Sequence, residues 1–373
     1  MRIDRFSFKN KELGWEVEPI EFKQLNLLVG LSASGKSQIL NALWSIKNIA
    51  LGKEMSGVEW SIDFFINQEN YKWKGRFNLK EERTGNFWVL DEKIINLSTN
   101  QFIERKENSS LIINDPINKK FEEYTGFEAG KGLIFNVYKH NFIEKAIQGF
   151  KKMVLRDHTL SQANIDLNFY KTRFRFNSKQ YGNYTIEDLL KGDFTTAERL
   201  LIADKNKLEE VTAIEEEFKQ FFPQVTKLFI DEVKNSGQES GHIEYRIKVR
   251  GNDKFVPHWN ISSGMLRTLN YLVELNLADQ ETVFLIDEFE NSLGHNCLPR
   301  IAEDILQRSA EQQFIVTSHH PDIIDAFDMS CWKVISRKNG KITNKNVEDL
   351  PFNRSQHEPY LALINHFETQ DAL

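Results

Sequence analysis

Gly30-Leu31-Ser32-Ala33-Ser34-Gly35-Lys36-Ser37 fits the pattern G-x-x-x-x-G-K-S, and the apolar run Leu25–Val29 leads directly into it. Glycines let such a loop curl so that successive backbone N–H groups point inward at phosphate oxygens. Lys36 reaches the β- and γ-phosphates, and the Ser37 hydroxyl is suited to ligate Mg2+. The helical pattern that follows presents the positive end of its dipole to the same anion. Gly30, Ser32, Ala33, Ser34, Gly35, Lys36, Ser37 and Gln38 are therefore the expected nucleotide-binding residues.

Two acids close a second apolar run, Val283-Phe284-Leu285-Ile286-Asp287-Glu288. This is the composition of a buried parallel strand whose carboxyl end meets phosphates. Asp287 is expected to hold Mg2+ through water, and Glu288 to polarise the water that attacks the γ-phosphate; alone, the pair also fits a solvated strand end. A third run, Gln313–Thr317, ends in Ser318-His319-His320-Pro321. The His319 imidazole there could sense a γ-phosphate, although a capped strand end has the same composition. Between the acids and the loop, Ser262-Ser263-Gly264-Met265 opens a helical pattern. A helix start offers hydroxyls, N–H groups and a dipole to a phosphate on a facing surface, but read alone it is an N-cap.

These residues must be positioned by strands at 2–8 and 25–29 and by a helix from Lys36 to about Ala50. Val58, Trp60, Ile62 and Phe64, then Tyr71, Trp73 and Phe77, alternate with polar residues, as in a half-buried antiparallel sheet reaching about residue 115. Residues from about 140 to 222 read as mainly helical, and Pro223 ends that pattern. A strand carrying Ile243, Tyr245, Ile247 and Val249 then leads back toward the core. The expected division is 1–140 for the amino-terminal half of a nucleotide-binding head, 141–240 for an insertion, and 241–373 for the other half.

With 373 residues, 40% of them hydrophobic, the chain has material for a substantial core. A net charge of −6 gives no global attraction to nucleic acid, so any such contact needs a local patch. The candidate is Phe169–Phe176, where Lys171, Arg173 and Arg175 interleave with aromatics; the favoured reading of the same pattern is a strand with an apolar face and a solvated basic face. Two isolated cysteines argue against a disulfide framework and a zinc site and suit a reducing cytoplasm. The sequence lacks a signal peptide's apolar core and any bilayer-length apolar run.

These motifs, taken in chain order, resemble the ABC-type ATPases of the RecF, SMC and OLD group. Gly30–Ser37 resembles their Walker A motif, Ser262–Met265 the signature, Val283–Glu288 Walker B, Ser292-Leu293 the D-loop, and Thr317–Pro321 the switch-histidine motif. The resemblance implies an α/β fold: a P-loop ABC-type ATPase head with an antiparallel β lobe and a helical insertion. It also implies ATP and Mg2+ as ligands. In that group two protomers join head to tail, so Ser262, Ser263 and Gly264 would complete the site of a second copy, giving an ATP-dependent homodimer or a higher oligomer. The chain departs from the group's pattern at Ser32-Ala33, where Asn-Gly is usual, at Ser263 in place of a glycine, and at Gly294-His295-Asn296 after the D-loop.

About 225 residues separate the loop from the signature, too many for a transporter subunit and too few for an SMC arm. This spacing resembles compact ATPases of bacterial defence systems, including OLD-type enzymes and the Septu ATPase. Only 54 residues follow His319 here, so the TOPRIM nuclease that OLD enzymes carry after the ATPase is expected elsewhere. A separate nuclease or toxin partner is expected. A nucleotide-bound scaffold and a RecF-like repair ATPase acting on DNA remain as alternatives.

Overall fold

The computed structural model describes residues 1–81, 88–106, 110–116, 120–124, 128, 130–156, 183–191, 194–234, 241–291, 293–294 and 297–347. The chain divides into two compact units. The first, 1–155 with 281–289 and 304–373, opens with β1 (Arg2–Asn10), β2 (Trp15–Glu21), β3 (Leu25–Val29) and α1 (Lys36–Ala50). An antiparallel run follows: β4 (Val58–Ile66), β5 (Glu69–Phe77), β6 (Val89–Asn96), β7 (Phe102–Lys106), β8 (Leu111–Asp115) and β9 (Lys120–Tyr124). Next come α2 (Leu133–Asn136), α3 (Asn141–Lys151) and β10 (Met153–Arg156).

The second unit, 156–280 with 290–303, contains α4 (Ile186–Lys191), α5 (Thr196–Lys205), α6 (Glu209–Phe221), β11 (Val225–Lys234), β12 (Gly241–Val249), β13 (Val256–Pro257) and α7 (Ser263–Asn276). The remaining elements are β14 (Val283–Ile286), α8 (Leu298–Arg308), β15 (Gln313–Thr317), α9 (Pro321–Ala326), β16 (Trp332–Lys338) and β17 (Lys341–Asn346). The fold is α/β, as the sequence implied. One sheet runs β10-β14-β15-β3-β16-β17-β2-β1-β4-β5-β6-β7-β8-β9, and β11-β12-β13 form a separate sheet.

The large sheet changes character along its width for a reason visible in each strand. Every residue of β3, β14 and β15 is buried, and these strands pair in parallel; such strands are covered on both faces and must be continuously apolar. In β4, burial alternates strictly, with Val58, Trp60, Ile62, Phe64 and Ile66 turned inward. Their rings interlock with those of β5 and α3: Trp60 meets Trp73 edge-on at 5.2 Å, and Phe64 and Trp73 lie 5.3 and 5.4 Å from Phe150.

Two details depart from the sequence reading. The antiparallel run continues through β9 to Tyr124 rather than stopping near 115. Within the region read as mainly helical, Thr195–Phe222 folds as two helices: Thr195 and Glu198 form a capping box at the first, and Lys207 takes a left-handed φ of 54° before the second begins. The segment 225–234, for which no strand was expected, is β11, paired antiparallel with β12. Its apolar residues Leu228-Phe229-Ile230 and polar residues Asp231-Glu232 come in blocks rather than alternating, so no period-two pattern marks it.

Each unit also buries an ion pair. In the first, Glu92 accepts from Arg105 Nη2 (3.1 Å), Trp73 Nε1 (2.8 Å) and the Leu133 N–H (2.8 Å). Burial pushes this carboxyl above its ordinary range, while the Arg105 charge pulls it back. In the second, Arg199 of α5 pairs with Glu274 of α7, and burial pulls the Arg199 guanidinium down to about 10. Both cysteines are buried, and burial pushes the Cys331 thiol up to about 11.

Arg105→Leu leaves Glu92 buried without its counter-charge, so this variant is expected to lose about 3–5 kcal/mol of stability in urea unfolding. A loss below about 0.5 kcal/mol would show that the carboxylate is not confined as described.

Candidate nucleotide site

Strand register assembles the site in the first unit. In β15, Val316 lies between Leu27 of β3 and Ile286 of β14, and Thr317 lies beside Leu28. Because the three strands are parallel, Gly30, Asp287 and Ser318 all leave the sheet at one edge.

The loop is shaped by its backbone. Gly30 has φ 154°, and a Cβ there would stand 2.3 Å from the Ile335 carbonyl oxygen of β16, so no larger residue fits. Gly35, at φ 101°, is the N-cap of α1 and makes no side-chain cap bond, so no cap side chain takes up the helix's first N–H groups. Ala33 holds a left-handed φ of 63°, at one of the two positions where the ABC-type pattern has Asn-Gly. This conformation costs a non-glycine residue on the order of 1 kcal/mol.

Lys36 is only 4% exposed, and its ammonium donates to the carbonyls of Gly30 (2.8 Å) and Leu31 (2.9 Å). The Ser34 hydroxyl is buried with no hydrogen-bond partner. A buried cation resting on loop carbonyls and a buried hydroxyl lacking an acceptor are what a phosphate-binding loop would offer its ligand.

Asp287 is the hub. Its Oδ1 accepts from Ser37 Oγ at 3.0 Å and from Thr317 Oγ1 at 2.6 Å. Thr317, fully buried, also accepts from the Glu288 N–H at 2.8 Å, and its carbonyl accepts from Phe289 N at 3.0 Å. These bonds pin Glu288 at a left-handed φ of 44°, half-buried at the strand end. Ser37 and Asp287 are thus neighbours although 250 positions apart in sequence, and both offer the hard oxygen donors that Mg2+ takes alongside phosphate oxygens. Among the described residues, no cluster of three or more His, Cys, Asp or Glu side chains could hold a metal by itself.

Of the other expected residues, Ser32 and Ala33 are exposed on the loop. Gln38 Oε1 accepts from Arg337 Nη1 of β16 at 3.0 Å. His319 is exposed two positions beyond Thr317, and Ser318 Oγ accepts from the His320 N–H at 3.0 Å. Sequence reading did not single out Thr317 or Arg337 as site residues. Thr317 had a signal, a hydroxyl ending the apolar run Phe314-Ile315-Val316, whereas Arg337 had none.

In the second unit, Ser262 caps α7 by accepting from the Met265 N–H at 3.3 Å. Ser262 and Ser263 are exposed and Gly264 is half-buried, while Leu266, Leu269, Leu272 and Val273 anchor the helix in the core. Lys171, Arg173 and Arg175 lie outside the described residues, as do Ser292, His295 and Asn296 of the D-loop region.

No curated protein sequence matches the chain. Among solved structures, an SmcHead bound to the C-winged helix domain of ScpA is 14% identical, with 93% of this chain and 98% of that one covered and a TM-score of 0.48. The SMC head domain from Thermotoga maritima is 14% identical over 93% and 99% of the two chains, with a TM-score of 0.40. A Pyrococcus furiosus Smc head domain with an extended coiled coil, bound to the C-terminal domain of ScpA, is 14% identical over 98% and 99%, with a TM-score of 0.46. Residues 25–325 match the family described as "AAA domain, putative AbiEii toxin, Type IV TA system". That span contains the loop, the Asp287 hub and the signature turn, and the chain belongs to this AAA-domain family.

Proposed function

We propose that the chain hydrolyses ATP with Mg2+ and works as an ATP-gated dimeric switch controlling a separate effector, a nuclease or toxin, in anti-phage defence. The observation that carries the hydrolytic part is the Asp287 hub, which ties the loop serine, the acidic strand end and Thr317 into one network. In this reading Gly30, Ser32, Ala33, Ser34, Gly35, Lys36, Ser37 and Gln38 hold the triphosphate. Ser37 and Asp287 hold Mg2+, which when bound neutralises charge developing on the phosphates. Glu288 orients and polarises the attacking water, and His319 contacts the γ-phosphate.

The switch part is supported by the exposed Ser262 and Ser263 at the amino end of α7, a helix start suited to a phosphate on a second copy. A toxin-linked setting is supported by the family description, which places the matched domain in a type IV toxin–antitoxin system. The proposed organisation is two head halves, 1–140 and 241–373, with the insertion 141–240 passing the nucleotide state to the effector. Lys171, Arg173 and Arg175 are the proposed contacts to DNA or RNA, and the proposed location is the cytoplasm; no described helix is long and apolar enough to cross a membrane. The departure of Gly294-His295-Asn296 from the D-loop pattern favours one second reading, a nucleotide-bound scaffold with little turnover.

Turnover and sizing in Mg-ATP separate the two. Lys36→Ala is expected to abolish ATP binding, and Glu288→Gln to retain binding, lose about 10²–10⁴-fold in kcat and accumulate as a dimer. Equal, negligible turnover in the parent and Glu288→Gln would favour the scaffold. Thr317→Val is expected to lower kcat about tenfold or more with KM changed less than about threefold, because Thr317 acts by orienting Asp287 and Glu288; Thr317→Ser restores the hydroxyl and most of the rate. An unaltered rate in Thr317→Val would remove Thr317 from the mechanism.

A further inference from the structure

Trp259 is 59% exposed, while the other six tryptophans are buried or half-buried. It sits in a short 3-10 turn, His258–Asn260, between β13 and the signature serines. Both flanks of the turn are fixed. Pro257 pairs with Arg246 of β12, His258 and Ile261 are buried at 5% and 7% exposure, and the Ile261 N–H donates to the His258 carbonyl at 3.0 Å. The indole meets the His258 ring edge-on at 5.0 Å and otherwise faces solvent from a rigid mount.

The chain's reach decides what can cover it. The cap residue Ser262 stands three positions beyond Trp259, so their Cα atoms lie within about 10 Å. An interface burying about 800 Å² per partner has a radius of about 16 Å if it is a disc. If the signature turn is near the centre of such an interface, Trp259 falls inside it. Tryptophan is also the residue type most enriched among the few that carry interface energy.

We propose that Trp259 is a contact residue for a second copy of this chain, exposed in the monomer and covered when the signature turn docks on the other copy's nucleotide. This rests on the reading above that the signature acts between copies. Phe255, 43% exposed just before β13, extends the same apolar run-in to the signature.

The experiment uses the full chain carrying Glu288→Gln, with and without Mg-ATP. Sedimentation reads the dimer, and acrylamide quenching of tryptophan emission, compared with the same chain carrying Trp259→Phe, isolates the Trp259 signal. On dimer formation, quenching of that signal should fall at least threefold. Trp259→Ala should raise the dimer dissociation constant tenfold or more while each monomer keeps its ATP affinity. If Trp259→Ala melts differently from its parent, the quenching comparison alone decides.

A dimer that forms with Trp259 still accessible, and that tolerates Trp259→Ala, overturns the proposal and leaves the between-copies reading standing. Absence of any dimer overturns both. Protection of Trp259 by an oligonucleotide, or by an effector, without dimerisation assigns the surface to that partner and also overturns it.

Discussion

The parallel pairing of β3, β15 and β14 is the constraint on which the site depends. Each strand is four or five residues long and buried throughout, so its register is set by packing on both faces. A slip of one residue in β15 would turn Thr317 to the other face and separate its hydroxyl from Asp287 Oδ1 and the Glu288 N–H. Residues 37, 287 and 317 are distant in sequence, and only this register holds their polar atoms within about 3 Å.

Around that frame the site concentrates features that cost stability. Lys36 and Asp287 are both nearly buried, and Ala33 and Glu288 hold left-handed conformations that non-glycine residues rarely adopt. A phosphate and a hard cation would compensate much of this, one satisfying the buried ammonium and hydroxyl and the other the carboxylate. The rest of the unit tolerates the cost through the aromatic layer of β4, β5 and α3 and the Glu92–Arg105 pair, none of which lies in the loop.

Where local pattern and tertiary role coincide, the chain was readable. β3, α1, β14 and β15 are continuous apolar or amphipathic runs that end in motif residues, and their observed bounds follow those runs. The loop and Asp287 were legible because phosphate chemistry demands particular residue types at fixed spacing. β11 was not, because Leu228-Phe229-Ile230 and Asp231-Glu232 come in blocks instead of the alternation that marks a half-buried strand. The roles of Thr317 and Arg337 were not either, since each is defined by a partner hundreds of positions away or by a neighbour across the sheet. Nothing in the sequence distinguishes Glu92 and Arg105 from solvated strand charges, yet they are buried together.

The most direct measurement is the equilibrium binding of ATP to the full chain by calorimetry, in Mg2+ and in EDTA. One ATP per chain is expected, bound at least tenfold more tightly with Mg2+, with Asp287→Ala abolishing that difference. Failure to bind ATP, or equal affinity with and without Mg2+ in the parent chain, would contradict the assignment of Ser37 and Asp287 as the paired oxygen donors of a nucleotide site.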